Sequence, residues 1–350
     1  MNIVITKTPY EVLIQQANGH KNCLASQKTI TGKRKHVDDG EDSIYMNPFI
    51  SDKAKILSSK AWRTLGDKTQ VFTLPENRLV RTRDKHVAEV VGIASGIGSA
   101  LGLNTDLIEA SSWMHDIGHV PFGHQGEHWM AQAMRKPEFC HEVMGPIVMQ
   151  FIERKGRGLN LCHETLNGGM CHSGNFAHLC ETQEAWVLRY ADKFAYIFAD
   201  INDIVMREKY PVGDEILNLV NSFGKNQRER TSTVMAGLII ESAEIGKVSF
   251  EHSELAIRFK KLRDLMYEVY PHVTQQKVGD ILGPVHDFLE MLKIGDPFLL
   301  LALMTDKDAL LISQTPMRDA HLFRRTALSE IAPYLKEIGE IDLCDPGLDW

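Results

Sequence analysis

The sequence predicts an all-α fold, one continuous helical domain with an α-helical accessory region in its C-terminal half. Apolar residues recur at three- and four-residue spacing in segment after segment, most regularly over Glu181–Met206. No series of alternating apolar and polar residues marks a set of strands, and no internal repeat marks a solenoid. The 43% hydrophobic and 24% charged content of the 350 residues is that of a globular protein with an ample core.

Taken in order, Met1–Gln16 reads as one strand or one short helix, and the polar, charged run Asn18–Ser43 reads as a flexible or lid-like arm. An ordered but irregular surface segment is the alternative for that run. Asp52–Leu65 has helical spacing at Ile56, Leu57, Trp62 and Leu65, and a short loop with Thr69-Gln70-Val71-Phe72 follows. A long helix is expected over Lys85–Gly102, apolar at Val87, Val90, Val91, Ala94, Ile97 and Leu101. Asp106 is placed to cap a helix over Leu107–His115. His141–Glu153 is amphipathic, residues from about Gly156 to Phe176 form a connection, and Glu181–Met206 is the most periodic helix. Helices are then expected over Asp214–Phe223, Glu229–Gly246, Ser253–Val269, Val273–Lys293 and Pro297–Thr305, with Lys247–Phe250 as a short extended piece. This divides the chain into an arm (1–47), a core (48–210) and a C-terminal helical region packed on it (211–350).

Bulk properties exclude several classes of function. A net charge of -7 argues against a general nucleic-acid-coating surface. No apolar run approaches the roughly 20 residues that span a bilayer, and the N-terminus lacks a signal-peptide pattern. The six cysteines show no C-x-x-C pairing, so neither a disulfide framework nor a zinc ribbon is suggested and a cytoplasmic location is expected.

Chemistry concentrates between Trp113 and Glu127, in the run W-M-H-D-I-G-H-V-P-F-G-H-Q-G-E. Imidazoles and carboxylates beside Gly and Pro are poor packing material but can hold a divalent ion and move protons. Adjacent His115 and Asp116 would leave a regular helix about 100° apart, so they share an ion only near a helix end, which Gly118 and Pro121 provide. Two ligands are too few for a catalytic metal. His86, on an otherwise apolar helix face, and Asp192, inside the most periodic helix, are candidates for the others. Taken singly, His86 could be a core histidine and Asp192 half of a buried ion pair. A His/His/Asp/Asp set suits Mn, Mg, Fe or Co, with Zn also admissible, and not a thiolate-loving ion.

The order His86, His115-Asp116, Asp192 resembles the signature of the HD-domain metal-dependent phosphohydrolases. More narrowly, the chain looks like the deoxynucleoside triphosphate triphosphohydrolases, the dGTPase-like branch. The likeness begins at Pro48-Phe49 and runs through Ser59–Arg63, Lys68–Phe72, the His86 segment, the 115–127 block, Gly158–Leu161 and Ala191–Asp203, with a later match at Arg263–Tyr267; residues 1–47 lie outside it. The H-D dyad alone is weakly specific. The H-D-x-G-H-x-P-F-G-H-x-G-E block together with the Asp192 helix is strong.

The resemblance implies an HD-domain helical bundle in which His86, His115, Asp116 and Asp192 hold the metal. It also implies His124 and Glu127 as a proton-transfer pair, the alternative being a pair that only orients the metal ligands. His119 is a further catalytic candidate, placed either near the phosphates or behind the metal ligands. His124 and Glu127 are three residues apart and would face each other on a helix starting after Gly123. His141 is a further active-site candidate, although Glu142 stands where the family has Asn. In that family a Tyr packs on the deoxyribose and an Asp and a Gln meet the 3′-hydroxyl, which maps onto Tyr196, Asp200 and Gln70. Lys193 and Arg83 are candidate triphosphate contacts.

The expected reaction is dNTP plus water to deoxynucleoside and tripolyphosphate. The alternatives are an HD-type phosphodiesterase or nucleotidase on another nucleotide, and a nucleotide-sensing or single-stranded-DNA-binding regulator with a degenerate site. By resemblance, the partners are the dNTP substrate, a nucleotide activator, single-stranded DNA and further copies of the chain in a tetramer or hexamer; no membrane is expected.

Overall fold

Several helices in this protein begin where a side chain satisfies the loose N–H groups of a first turn. The computed structural model describes residues 8–38, 40–72, 77, 79–174, 176–207, 209–273, 278–316, 320–335 and 341–347. Among these the structure is helical, with two isolated bridges, Arg34 to Cys162 and Thr69 to Thr82, in place of any sheet. Lys247–Phe250 is turn and coil and makes no strand. No described helix is long and apolar enough to cross a membrane.

Several boundaries differ from expectation for reasons that lie in the caps. Asn47 accepts from the backbone N–H of Phe49 and Ile50, and Pro48 needs no partner at the first position, so a helix starts there and runs Pro48–Ser58. Ser59 then caps a separate short helix, Lys60–Thr64, splitting what reads as one helix. Asn104, rather than Asp106, caps Thr105–Met114, accepting from Asp106 and Leu107. The expected helix from His141 is regular only over His141–Ile147. With Pro146 inside it, it widens into a π-type turn over Val148–Ile152 and breaks at Arg154 and Lys155, both left-handed.

The supposed connection between Gly156 and Phe176 contains a helix, His163–Met170. Its Gly168 and Gly169 depress its propensity, but Cβ atoms there would press into the Ser111 and Met114 side chains. Close packing on the Thr105–Met114 helix therefore overrides local preference.

The stretch read as an arm is fastened to the core. Pro9–Gly19 is a helix with a reciprocal Thr8–Glu11 capping box, and residues 1–7 lie outside the described ones. Buried Arg34 donates to Asp42, to Asp52, and to the carbonyls of Pro48 and Asn160, while the Thr29 hydroxyl donates to Glu184. The irregular, ordered alternative describes residues 18–38 better than a free lid.

Two apolar cores flank one seam. The first joins Ile56, Leu65, Met114, Val120 and Val143 to C-terminal side chains such as Leu282, Phe288 and Ile312. The second joins Val90, Ala94, Leu188, Phe194 and Phe198 to Val234 and Phe259. The Arg83–Leu101 helix contributes Val87 to one and Val90 to the other, so the polar residues on its remaining face line the seam. Asp306 fastens the C-terminal region to the site, accepting from the N–H of Thr69 at 2.9 Å and of Phe122 at 2.8 Å.

Candidate active site

Four side chains from three helical segments converge at the seam. His86 Nε2 lies 3.0 Å from Asp192 Oδ1 and 3.7 Å from Asp116 Oδ2. His115 Nε2 lies 3.5 Å from Asp116 Oδ1 and 3.9 Å from Asp192 Oδ1. The helix ends at Met114 and the chain turns at Ile117-Gly118, which lets neighbouring His115 and Asp116 aim at one point. Gly118 is required there, because a Cβ would collide with the His141 carbonyl and the Gly145 nitrogen of the helix behind it.

Electrostatics suit a cation. His115 donates its Nδ1–H to the Ser112 carbonyl at 2.7 Å, which leaves Nε2 as a bare lone pair, buried and without a hydrogen-bond partner. Burial lowers the His115 pKa. Burial raises the carboxyl of Asp116, but His115, Arg83 and His119 outweigh it and hold the group well below its usual value. Asp192 is likewise lowered, the hydrogen bond and charge of His86 overcoming burial. Two ionised carboxylates and a lone-pair imidazole at such distances fit a divalent ion, and the donor set of nitrogen and oxygen fits the hard to borderline class.

Beside this lies a second imidazole cluster. His119 Nδ1 is 2.6 Å from Glu127 Oε1, and His141 Nδ1 is 3.1 Å from the same oxygen. The His119 and His141 rings stack at 3.5 Å, with His124 edge-on to each at 5.3 and 5.7 Å. A helix does begin at Gly123, after left-handed Phe122, but Glu127 turns inward to His119 and His141. His124 stays exposed at the cleft mouth, so the expected i, i+3 pair is replaced by a buried carboxylate shared between two other imidazoles. Burial lowers His119 to about 3, helped by Arg83 and His141. His141 rises to about 9, because Glu142 and Glu127 outweigh burial.

A cleft of about 1170 Å³ opens from these clusters and continues along the Gln183–Asn202 helix, past Lys193, Tyr196 and Asp200, to Gln70, Tyr267 and Tyr270. Thr182 caps that helix, and its i, i+4, i+8 spacing sets Asp192, Tyr196 and Asp200 along one face. Gln70 Oε1 is buried with no hydrogen-bond partner. The Tyr196 and Tyr267 hydroxyls are 2.8 Å apart. Asp200 accepts from Arg81 and, at 2.9 Å, from the Tyr270 hydroxyl. Lys193 donates to the Arg189 carbonyl, and burial with Arg189 nearby lowers its pKa to about 7.

Arg83 borders the cleft but is committed to Asp116 at 2.9 Å and to the Thr69 carbonyl, so in this structure it braces the Asp116 carboxylate. Arg230 and Arg258 each reach the end of a neighbouring helix, Asp214–Phe223, Arg230 donating to the Gly224 carbonyl and Arg258 lying over the Phe223 ring.

Three residues escaped the sequence reading. Arg81 lies just before the helix it supports. Tyr270 carries no motif of its own. His172 follows a glycine-containing helix that reads as a loop. The only available signal was the density of histidine near Cys171-His172-Ser173.

A family model described as HD domain matches residues 83–197, the stretch that carries the four-residue cluster. The chain is 35% identical to a deoxyguanosinetriphosphate triphosphohydrolase-like protein of Clostridium tetani over 244 residues, 67% of this chain and 69% of that one. The chain belongs to this family. Similar proteins with the same description occur in Desulfatibacillum aliphaticivorans, 34% identical over 63% of this chain and 62% of that one, and in Caldanaerobacter subterraneus subsp. tengcongensis, 36% identical over 63% and 64%. In these two comparisons the match spans slightly less than two thirds of the relative's length. The family is one of HD-domain phosphohydrolases, and its helical fold is the one found here.

Proposed function

We propose that the protein hydrolyses deoxynucleoside triphosphates to deoxynucleoside and tripolyphosphate, with water attacking the α-phosphorus and the 5′ oxygen leaving. The observation that supports this best is a single cleft with a His/His/Asp/Asp cluster at one end and Gln70, Lys193, Tyr196 and Asp200 at the other. The names of the relatives, which describe deoxyguanosine triphosphate hydrolysis, point the same way.

His86, His115, Asp116 and Asp192 would hold the divalent ion. When bound, it supplies Lewis-acid polarisation of phosphoryl oxygens and offsets their charge. The remaining work falls to the chain's own side chains. Lys193, whose pKa burial and Arg189 lower to about 7, sits where it can pair with phosphate oxygens, which favour its charged form. Tyr196, tied to Tyr267, presents a fixed ring wall against the sugar, where a 2′-hydroxyl would have no room. Asp200, anchored by Arg81 and Tyr270, keeps lone pairs for a 3′-hydroxyl, and the unpartnered Gln70 Oε1 is the second polar group facing that region.

His124, the exposed imidazole of the cluster, transfers a proton at the scissile bond. Glu127 holds His119 and His141 in their stacked arrangement beside it.

The test is a screen of all four dNTPs, singly and mixed, with Mg or Mn, the products being separated and assayed for tripolyphosphate. Release of single phosphates or of a 5′-monophosphate would move the protein to the phosphodiesterase or nucleotidase class. Metal-dependent binding without turnover would move it to the regulators. Turnover only in the mixtures would reveal a nucleotide activator.

A further inference from the structure

Asp306 is fully buried at the start of the Asp306–Gln314 helix, and none of the roles above uses its carboxylate. Its own helix does not need it. Thr305 caps that helix by accepting from the Asp308 N–H, and the Asp308 side chain accepts from the Thr305 N–H in return. The Asp306 carboxylate is left to reach elsewhere. Among the described residues it takes its hydrogen bonds from two loops of the core. Oδ2 accepts from the Thr69 N–H at 2.9 Å and from the Thr69 hydroxyl, and Oδ1 accepts from the Phe122 N–H at 2.8 Å.

Both loops line the cleft, because Gln70 follows Thr69 and His124 stands two residues beyond Phe122. The Phe122 turn needs holding. Phe122 and Gly123 are both left-handed, at φ 66° and 56°, immediately before the helix that carries His124 and Glu127. A buried aromatic residue keeps that conformation only where its surroundings fix it. The Thr69 loop is tied from its other side as well, Arg83 Nε donating to the Thr69 carbonyl at 3.0 Å and Lys68 Nζ to the His119 carbonyl.

Attachment of the C-terminal region does not account for a buried carboxylate. Leu300, Leu301, Met304, Ala309 and Ile312 already bury that region in the first core. An apolar side chain at 306 would add to this without the desolvation cost of a charge. What a carboxylate does, and an apolar contact cannot, is fix the direction of two backbone N–H groups at once.

We propose, resting on the hydrolysis reading, that Asp306 is a positioning residue: one carboxylate clips the Thr69–Gln70 loop to the Phe122–Gly123 turn. Gln70 at the sugar and His124 at the scissile bond thereby keep a fixed spacing.

Asp306→Asn keeps the volume, but an amide accepts at one end only, so either the Thr69 or the Phe122 N–H loses its partner. Wild type and variant are compared on dGTP and on 2′,3′-dideoxyguanosine triphosphate with Mn(II), by kcat and KM, with bound metal and melting temperature alongside. A residue that only stabilises the fold changes the amount of active protein and so affects both nucleotides equally. A positioning residue weakens the hold on the 3′-hydroxyl. The wild-type preference for dGTP should therefore shrink at least about tenfold in Asp306→Asn, less than the full effect of a 1 Å misplacement, with bound Mn(II) unchanged. Thr69→Val removes the hydroxyl bond alone and should show part of the same loss, whereas Thr69→Ser should behave as wild type. These two decide the role even if Asp306→Asn fails to fold. An unchanged preference, equal losses on both nucleotides, or loss of Mn(II) would overturn the proposal. Absence of turnover in wild type would instead refute the hydrolysis reading. The same preference is then read from binding by isothermal titration, and a preference absent from wild type or surviving in Asp306→Asn would overturn the positioning role.

Discussion

Gly118→Ala tests the packing that aims the H-D turn. The added Cβ would stand roughly 1 Å inside the ~3 Å that real Cβ contacts keep from the His141 carbonyl oxygen, and too close to the Gly145 nitrogen as well. Both obstacles are backbone, held in the His141–Ile147 helix by its own hydrogen bonds, so no rotamer change relieves them. Either the turn or the helix must move by most of an ångström. Overpacking of this kind costs about 1–3 kcal/mol, and rigid obstacles put the expected loss at the upper end. Metal ligands tolerate displacements of only about 0.2 Å, and a 1 Å misplacement costs on the order of 100-fold in function.

The matched control is Gly92→Ala, in the interior of the Arg83–Leu101 helix, where a Cβ meets nothing within 4 Å. That change should stabilise by about 0.5–1 kcal/mol through helix propensity. Thermal melting and Mn(II) titration of both variants give the answer. Gly118→Ala should melt lower and bind metal about 100-fold more weakly, while Gly92→Ala melts slightly higher with unchanged affinity. Wild-type melting and metal affinity in Gly118→Ala would refute the steric argument.

Asp192→Asn removes a charged oxygen facing both His86 and His115, and elemental analysis should find the ion lost; undiminished content would remove Asp192 from the ligand set. His124→Ala should retain metal and dNTP binding, the latter read by isothermal titration, while turnover falls about 10²–10⁴-fold; near-normal turnover would end its proton-transfer assignment. Far from the cleft, buried Glu241 accepts from the backbone N–H of Glu251, His252 and Ser253 and from the Ser249 and Ser253 hydroxyls. Burial raises its pKa, but these bonds win and bring it from 4.5 to about 2. Because the folded value is the lower one, its contribution is full above pH 4.5 and disappears as pH falls through about 2. Glu241→Gln leaves some of these donors without an acceptor and should lose about 1–3 kcal/mol at pH 7, and its melting gap to wild type should narrow in acid; a pH-independent gap would contradict the ionised assignment.

The sequence by itself determined the helical class, the family, and the grouping of His86, His115, Asp116 and Asp192. Periodicity is local, and an H-D turn with nearby Gly and Pro is chemically unusual enough to stand out from core residues. It also placed Asp192, Tyr196 and Asp200 on one face, because 3.6-residue geometry is fixed once a helix forms. Only the tertiary structure decided the partners. Glu127 meets His119 and His141 most closely, because two buried imidazoles compete better for a desolvated carboxylate than one exposed ring does. Arg83 went to Asp116 for the same reason. His172 stayed hidden because Gly168 and Gly169 weaken the local helical signal, and only the surfaces of Ser111 and Met114 reward their lack of side chains. Local pattern names the elements, whereas desolvation and close packing between distant segments choose which charges meet.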